Sequence, residues 1–148
     1  MLHFNSPALG AVQDYAVSVP AGYDAPANAQ RRYPVLYLLH GYGQNAEDMA
    51  GTSLSVDIAQ NLGLVHEMIV VYPSGRCCLT GPNGERTCDE SNGTPPGYVR
   101  ECARGSFYLD RAGYSGTDQT KYGQALFDLM DEVDKQYRTL APADGPAF

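Results

Sequence analysis

Alternating apolar residues define the first predicted element of this chain. In the second half of residues 12–19, the apolar residues Tyr15, Val17 and Val19 alternate with small ones, which predicts a half-buried β-strand. After a polar connector, residues 34–40 form a continuous apolar run of strand length. Such a run predicts a central strand that is covered on both faces, as in a parallel sheet.

Two later segments have apolar residues at helical spacing. Residues 52–64 place Leu54, Ile58 and Leu62 four positions apart, which predicts a helix. Residues 120–138 predict a longer amphipathic helix, because acidic residues fill the positions between the apolar ones. The apolar positions of this second helix are Tyr122, Leu126, Leu129, Val133 and Tyr137.

The order of these elements indicates the fold class. Residues 68–72 form another apolar run, so the chain reads strand, helix, strand over residues 34–72. This spacing is typical of a βαβ unit, which closes right-handed onto a parallel sheet. We therefore predict one α/β domain over residues 1–148, with helices on both faces of its sheet. Residues 76–104 predict a long irregular insertion.

Charge and hydropathy exclude two classes of partner. The chain has 10 Lys and Arg against 17 Asp and Glu, a formal net charge of −7. Nucleic acids and anionic membrane surfaces both attract basic proteins, so neither is predicted as a partner. No apolar run reaches the roughly 20 residues that a membrane-spanning helix needs.

All four cysteines lie in the predicted insertion, at Cys77, Cys78, Cys88 and Cys102. Disulfides, free thiols and a zinc site are the three possible interpretations. Zinc is the weakest, because no C-x-x-C pair is present and adjacent cysteines do not easily bind one tetrahedral ion. Disulfides are favoured, although three pairings are possible. They predict an extracellular or periplasmic protein, even though residues 1–6 have no features of a signal peptide.

The segment His40-Gly41-Tyr42-Gly43 directly follows the predicted central strand. Glycine allows a sharp bend there and lets main-chain amides approach a ligand. In α/β-hydrolases the loop after this strand supplies main-chain N–H groups to an oxyanion hole. The segment therefore predicts an oxyanion-binding loop.

Over about residues 8–139, the chain resembles the esterase family of α/β-hydrolases that includes feruloyl esterases, S-formylglutathione hydrolases and mycolyltransferases. The segments that carry this resemblance are residues 15–24, 33–43, 69–73, 105–108 and 129–139. The resemblance implies a three-layer αβα fold with a mostly parallel sheet, and no metal or organic cofactor. It also implies that Tyr42 supplies a main-chain N–H to the oxyanion hole, while Gly41 and Gly43 shape the loop.

The same resemblance implies that the chain is an N-terminal part, truncated before the nucleophile elbow. The family has Gly-x-Ser-x-Gly beyond the position that corresponds to Thr139, followed by the acid and the histidine. Ser115 is the nearest internal match, but Thr117 stands where the elbow needs glycine, and no histidine follows His66. We therefore expect an esterase in the intact protein, acting on a small-molecule or polysaccharide-linked ester, and no activity from these 148 residues alone.

The three histidines are not spaced as metal ligands. His40 is expected to be structural, bonding the main chain to hold the loop. His66 is expected to be a solvated loop residue and His3 a terminal one.

Two alternatives to an esterase remain at this point. Gly41-x-Gly43-x-x-Ala46 matches a dinucleotide-binding fingerprint, but Glu47 and Asp48 follow where a helix should open, and the next strand does not end in an acid. The other alternative is a non-catalytic binding module of the same fold, with the cysteine-containing insertion as its recognition surface.

Overall fold

The computed structural model describes residues 1–75, 79–80, 86–87, 108–111 and 120–140. The strands are β1 (Leu2–Ser6), β2 (Ala11–Ser18), β3 (Val35–Tyr37), β4 (Ile69–Pro73), β5 (Leu79–Thr80), β6 (Arg86–Thr87), β7 (Asp110–Arg111) and β8 (Thr120–Lys121). The helices are α1 (Ala46–Ala50), α2 (Ser53–Asn61) and α3 (Tyr122–Gln136), and a 3-10 turn covers Pro26–Asn28. Ser115 and the four cysteines lie outside the described residues, so the disulfides stay a prediction.

The main sheet has four strands in the order β1-β2-β4-β3. Only β3 and β4 are parallel, while β1 with β2 and β2 with β4 are antiparallel. The prediction of a mostly parallel sheet is therefore wrong for these four strands. The reason is connectivity: β1 and β2 are joined by a short turn at Gly10, and short turns make antiparallel pairs, whereas only β3 and β4 are joined by a helical crossover.

The central strand of the sheet is β4, not β3 as the sequence predicted. Every residue of β4 is buried, whereas β3 pairs with β4 alone among the described strands and Leu36 on it is 40% exposed. On the side of β3 that faces away from β4, Tyr33 forms a parallel bridge with Thr139. Two hydrogen bonds make this bridge, from Tyr33 N–H to the Arg138 carbonyl and from Leu140 N–H to the Tyr33 carbonyl.

Helix α3 covers one face of the sheet, as predicted for residues 120–138. Leu129 and Val133 on α3 are buried in one cluster with sheet residues that share a face. The sheet residues of this cluster are Phe4, Tyr15, Ile69 and Val71, with Val17, Val35 and Tyr37 packed against it. Asp128 fixes the helix to the first strands, since its Oδ2 accepts hydrogen bonds from Ser6 Oγ at 2.6 Å and Ala8 N–H at 2.9 Å.

Helix α2 reaches the other face through Asp57, so the described residues have helices on both faces of the sheet. Ser18 Oγ donates to Asp57 Oδ1 of α2 at 3.1 Å, and Ser18 points away from the α3 side because its neighbour Val17 packs there. The predicted helix is present, and the three residues of its apolar stripe, Leu54, Ile58 and Leu62, are all exposed. A spacing of four residues defines a stripe without stating which surface covers it.

Strand β1, helix α1 and the two short strand pairs β5–β6 and β7–β8 escaped the sequence patterns. Helix α1 begins at Ala46 directly after a capping box in which Asn45 and Asp48 bond each other's main-chain N–H groups. Glu47 and Asp48 therefore lie in the first turn of α1 and do not delay the helix, contrary to the prediction. None of the helices in the described part of the chain is long and apolar enough to cross a membrane.

Candidate active site

The candidate site lies where β3 and β4 end. Because the two strands are parallel, their carboxyl ends meet at one edge of the sheet. This places His40, three residues beyond β3, within hydrogen-bond distance of Gly75, two residues beyond β4. The loop that follows His40 therefore starts beside the carboxyl end of the central strand.

Residues 41–44 form a tight turn. Gln44 N–H donates to the Gly41 carbonyl at 3.1 Å, and the Gln44 side-chain Oε1 accepts from Gly41 N–H at 3.0 Å. Gly43 has φ +81°, while the φ of Tyr42 is negative, so this is a type II turn with glycine at its third position. Tyr42 is 57% exposed at the tip. The bend expected from the two glycines is present, and the oxyanion role of Tyr42 stays a prediction.

Replacing Gly43 with alanine is expected to lower the free energy of unfolding by about 1–2 kcal/mol, because a Cβ is disfavoured in the left-handed region. No atom lies within 4 Å of the position that the Cβ would take, so φ alone causes the loss. Urea denaturation measures the change. Gly41→Ala is the control and should cost less, since its φ is ordinary and the nearest atom is the flexible end of Gln44. Equal losses would contradict the type II geometry.

His40 is buried and bonds main-chain groups on two loops. Its Nδ1 lies 2.8 Å from the Gly41 carbonyl, and its Nε2 accepts a hydrogen bond of 2.8 Å from Gly75 N–H. These contacts join the turn after β3 to the end of β4. They are the contacts of a structural histidine, as predicted from the sequence.

Tyr108 is a site residue that sequence reasoning missed. Its hydroxyl donates to the Pro73 carbonyl at 2.9 Å, and its ring lies edge-on to His40 with centroids 5.5 Å apart. Burial raises the pKa of its phenol, although main-chain hydrogen bonds at His40 and Gly75 act in the opposite direction. No spacing pattern linked Tyr108 to His40, which is 68 positions earlier; the resemblance over residues 105–108 was its only signal.

The other two histidines are remote from this site. His3 Nδ1 lies 2.6 Å from Asp14 Oδ1 on the neighbouring strand, so it is not merely a terminal residue. His66 is exposed in the connector between α2 and β4, as expected. Within the part of the chain that the structure describes, no three His, Cys, Asp or Glu side chains are grouped so that they could hold a metal ion.

No family model matches the chain. It is similar in structure to an S-formylglutathione hydrolase from Agrobacterium tumefaciens, with a TM-score of 0.62 and 18% identity over 93% of this chain. A ferulic acid esterase matches with a TM-score of 0.60 and 21% identity over 93% of this chain. A ferulic acid esterase from Anaeromyces mucronatus, solved in complex with ferulic acid, matches with a TM-score of 0.55 and 21% identity over 94% of this chain.

The chain spans only 42–43% of the length of these three proteins. They are enzymes of two of the kinds that the sequence resembles, which supports that resemblance. At such low identity the likeness shows the fold alone, and the chain accordingly shares an α/β fold with part of these enzymes.

Proposed function

We propose that this chain is the N-terminal part of a serine carboxylic-ester hydrolase. The observation that carries the proposal is the type II turn of residues 41–44 at the carboxyl end of β3. In open α/β sheets, ligands bind in the crevice outside the carboxyl ends of the strands. A turn held in this position by His40 is suited to presenting main-chain N–H groups to a substrate oxygen.

In the proposed reaction, a serine oxygen attacks the ester carbonyl and the carbonyl oxygen becomes an oxyanion. Tyr42 N–H stabilises this oxyanion, while Gly41 and Gly43 give the turn its shape. The alcohol leaves, and water then releases the acid from the acyl-serine. We propose a small-molecule or polysaccharide-linked ester as substrate. The serine, the acid and the histidine that this reaction requires are supplied by polypeptide outside the 148 residues.

The edge of β3 supports the proposal that further polypeptide completes the fold. Residues 138–140 lie beside Tyr33 in parallel orientation, on the side of β3 that faces away from β4. A strand that continued from Thr139 in this direction would run along β3 toward the turn of residues 41–44. Its carboxyl end would then reach the candidate site, where a nucleophile is required.

The chain alone is expected to be inactive on a p-nitrophenyl acyl ester. One oxyanion-hole donor contributes about 3–4 kcal/mol, whereas enzymes lower barriers by about 8–23 kcal/mol. The assay compares the purified chain with the same chain after heat denaturation, and the two should give equal rates. Turnover that survives rigorous purification and is lost on denaturation would contradict the truncated-esterase proposal.

The two alternatives are separated by other measurements. A dinucleotide-binding domain should show a thermal shift with NADH, whereas an esterase should not. Helix α1 does follow the glycines, but β4 ends at Pro73 without the acid that would bind a ribose. Coding DNA that continues past Phe148 into Gly-x-Ser-x-Gly would favour the esterase, whereas a stop codon would favour a non-catalytic binding module.

We also propose that the cysteines of the insertion form disulfides and that the protein is extracellular or periplasmic. The support is compositional, since Cys77, Cys78, Cys88 and Cys102 are concentrated in one segment. Titration of the unfolded, unreduced chain with a thiol reagent should find no free thiols. Four free thiols in protein purified without reductant from an oxidising compartment would contradict this proposal.

A further inference from the structure

The ring of Tyr108 fills the space between the loops that leave β3 and β4. A Cβ built on Gly75 would lie 2.7 Å from Tyr108 Cζ, so the ring occupies the place of a side chain at that position. The hydroxyl reaches past Gly75 and donates to the Pro73 carbonyl at 2.9 Å. Tyr108 therefore contacts the end of β4 through both its ring and its hydroxyl.

The segment that carries Tyr108 is fixed by a second contact. Asp110 Oδ1 accepts a hydrogen bond from Gln124 N–H in the first turn of α3 at 3.1 Å. Tyr108 itself has φ +52°, a conformation that a tyrosine keeps only where its surroundings determine it. The ring is thus held at a defined position relative to the sheet.

The contacts of His40 define its protonation. Gly75 N–H donates to Nε2, so Nε2 has no proton. Nδ1 lies 2.8 Å from the Gly41 carbonyl, which can only accept, so Nδ1 has the proton. His40 is therefore neutral, with its proton on Nδ1. The edge-on contact between the rings of His40 and Tyr108 limits how the His40 ring can rotate.

We propose that Tyr108 is a positioning residue for the turn of residues 41–44, and that it acts through His40. Tyr108 holds the His40 ring against Gly75, and His40 in turn holds the Gly41 carbonyl at the start of the turn. The conformation of the turn then depends on the segment that enters β7, on the far side of the cysteine-containing insertion. A role of Tyr108 in catalysis rests on the proposed esterase function, whereas its contact with His40 does not.

The test is an NMR measurement on the 148-residue chain, with three variants. In the wild type, long-range nitrogen–proton correlations of His40 should show the proton on Nδ1, and Gly75 N–H should be protected from hydrogen exchange. Tyr108→Ala should speed exchange at Gly75 by about tenfold or more and mix the two His40 tautomers. Tyr108→Phe keeps the ring, so it should retain the tautomer and speed exchange less than Tyr108→Ala does.

The control is Phe127→Ala, which removes an exposed aromatic ring from α3 and should leave both signals unchanged. A wild-type proton on His40 Nε2 would overturn the proposal, and so would unchanged Gly75 exchange in a folded Tyr108→Ala chain. If Tyr108→Ala does not fold, the wild-type tautomer and Tyr108→Phe still decide the question: loss of the Nδ1–H tautomer in Tyr108→Phe would also overturn it. Neither readout requires turnover, so failure of the esterase assay and failure of this test are separate results.

Discussion

Replacing Leu129 with alanine is expected to lower the free energy of unfolding by about 2–5 kcal/mol. Leu129 is 1% exposed and belongs to the cluster that joins α3 to the sheet. The substitution removes apolar surface from the core and leaves a cavity, and both effects destabilise the folded chain. Urea denaturation followed by circular dichroism measures the loss.

Phe127→Ala is the matched control for this prediction. Phe127 is on the same helix but 61% exposed, so its removal should change stability by no more than about 0.5 kcal/mol. The contrast between the two positions tests which face of α3 meets the sheet. Similar losses at Leu129 and Phe127 would show that α3 does not pack as described.

Among the elements that could be predicted from the sequence, two have a pattern that also reports which side of the element is buried. Helix α3 is the clearest example, because its apolar positions repeat over four turns and acids fill the rest. Tyr122, Leu129 and Val133 are buried accordingly. Strand β2 was predicted for the same reason, since alternation sends Tyr15 and Val17 to the face that α3 covers.

Position within the sheet could not be read from the same patterns. The apolar runs at residues 34–40 and 68–72 are equivalent as sequence, yet in the part of the chain that the structure describes β4 has a neighbouring strand on each side while β3 has β4 alone. Neighbours are set by the connections between strands and by polypeptide distant in sequence. Strand β1 escaped prediction because it is short and buries only Phe4 and Ser6.

The apolar surfaces left exposed have a shared explanation in the proposed truncation. Leu36 and Leu39 are about 40% exposed at the β3 end of the sheet, and Leu54 and Leu62 on α2 are each 68% exposed. Helical spacing correctly predicted that α2 has an apolar stripe, but not what covers it. The chain spans about two fifths of the length of the esterases that it resembles in structure. The exposed apolar surfaces are therefore an argument for the proposal that further polypeptide packs against them.

Only the part of the candidate site that residues close together in the sequence form could be predicted from the sequence. Two glycines around Tyr42 imply a bend, and the turn of residues 41–44 has the conformation that glycine permits. The contacts of His40 with Gly75 and of Tyr108 with Pro73 join segments 35 positions apart. Such contacts depend on the tertiary fold, so no pattern in the local sequence could have given them.

Replacing Tyr72 with phenylalanine is expected to stabilise the protein, and more strongly in alkali than at neutral pH. The Tyr72 hydroxyl is buried and has no hydrogen-bond partner within the described residues. An unsatisfied buried polar group costs about 1–3 kcal/mol, so its removal should raise the free energy of unfolding at pH 7. The alkaline effect comes from ionisation of the phenol.

Burial raises the pKa of Tyr72, and the Asp57 carboxylate raises it further. The folded state therefore keeps this phenol protonated at a pH where the unfolded chain, with a tyrosine pKa near 10, releases the proton. The contribution of the protonated phenol to the free energy of unfolding is therefore complete below about pH 10 and is lost as the pH rises toward the folded-state pKa. Each such tyrosine lowers the free energy of unfolding by about 1.4 kcal/mol per pH unit in that range.

Urea denaturation at a series of pH values from about 8 to about 11 measures this slope. Tyr72→Phe should reduce the slope by one tyrosine's share. Tyr15 should behave like Tyr72, because burial and then the neighbouring Tyr137 and Glu132 raise its pKa. Equal slopes for the Tyr72→Phe chain and the wild type would mean that Tyr72 ionises as readily in the folded protein as in the unfolded one, and would contradict the raised pKa of this buried phenol.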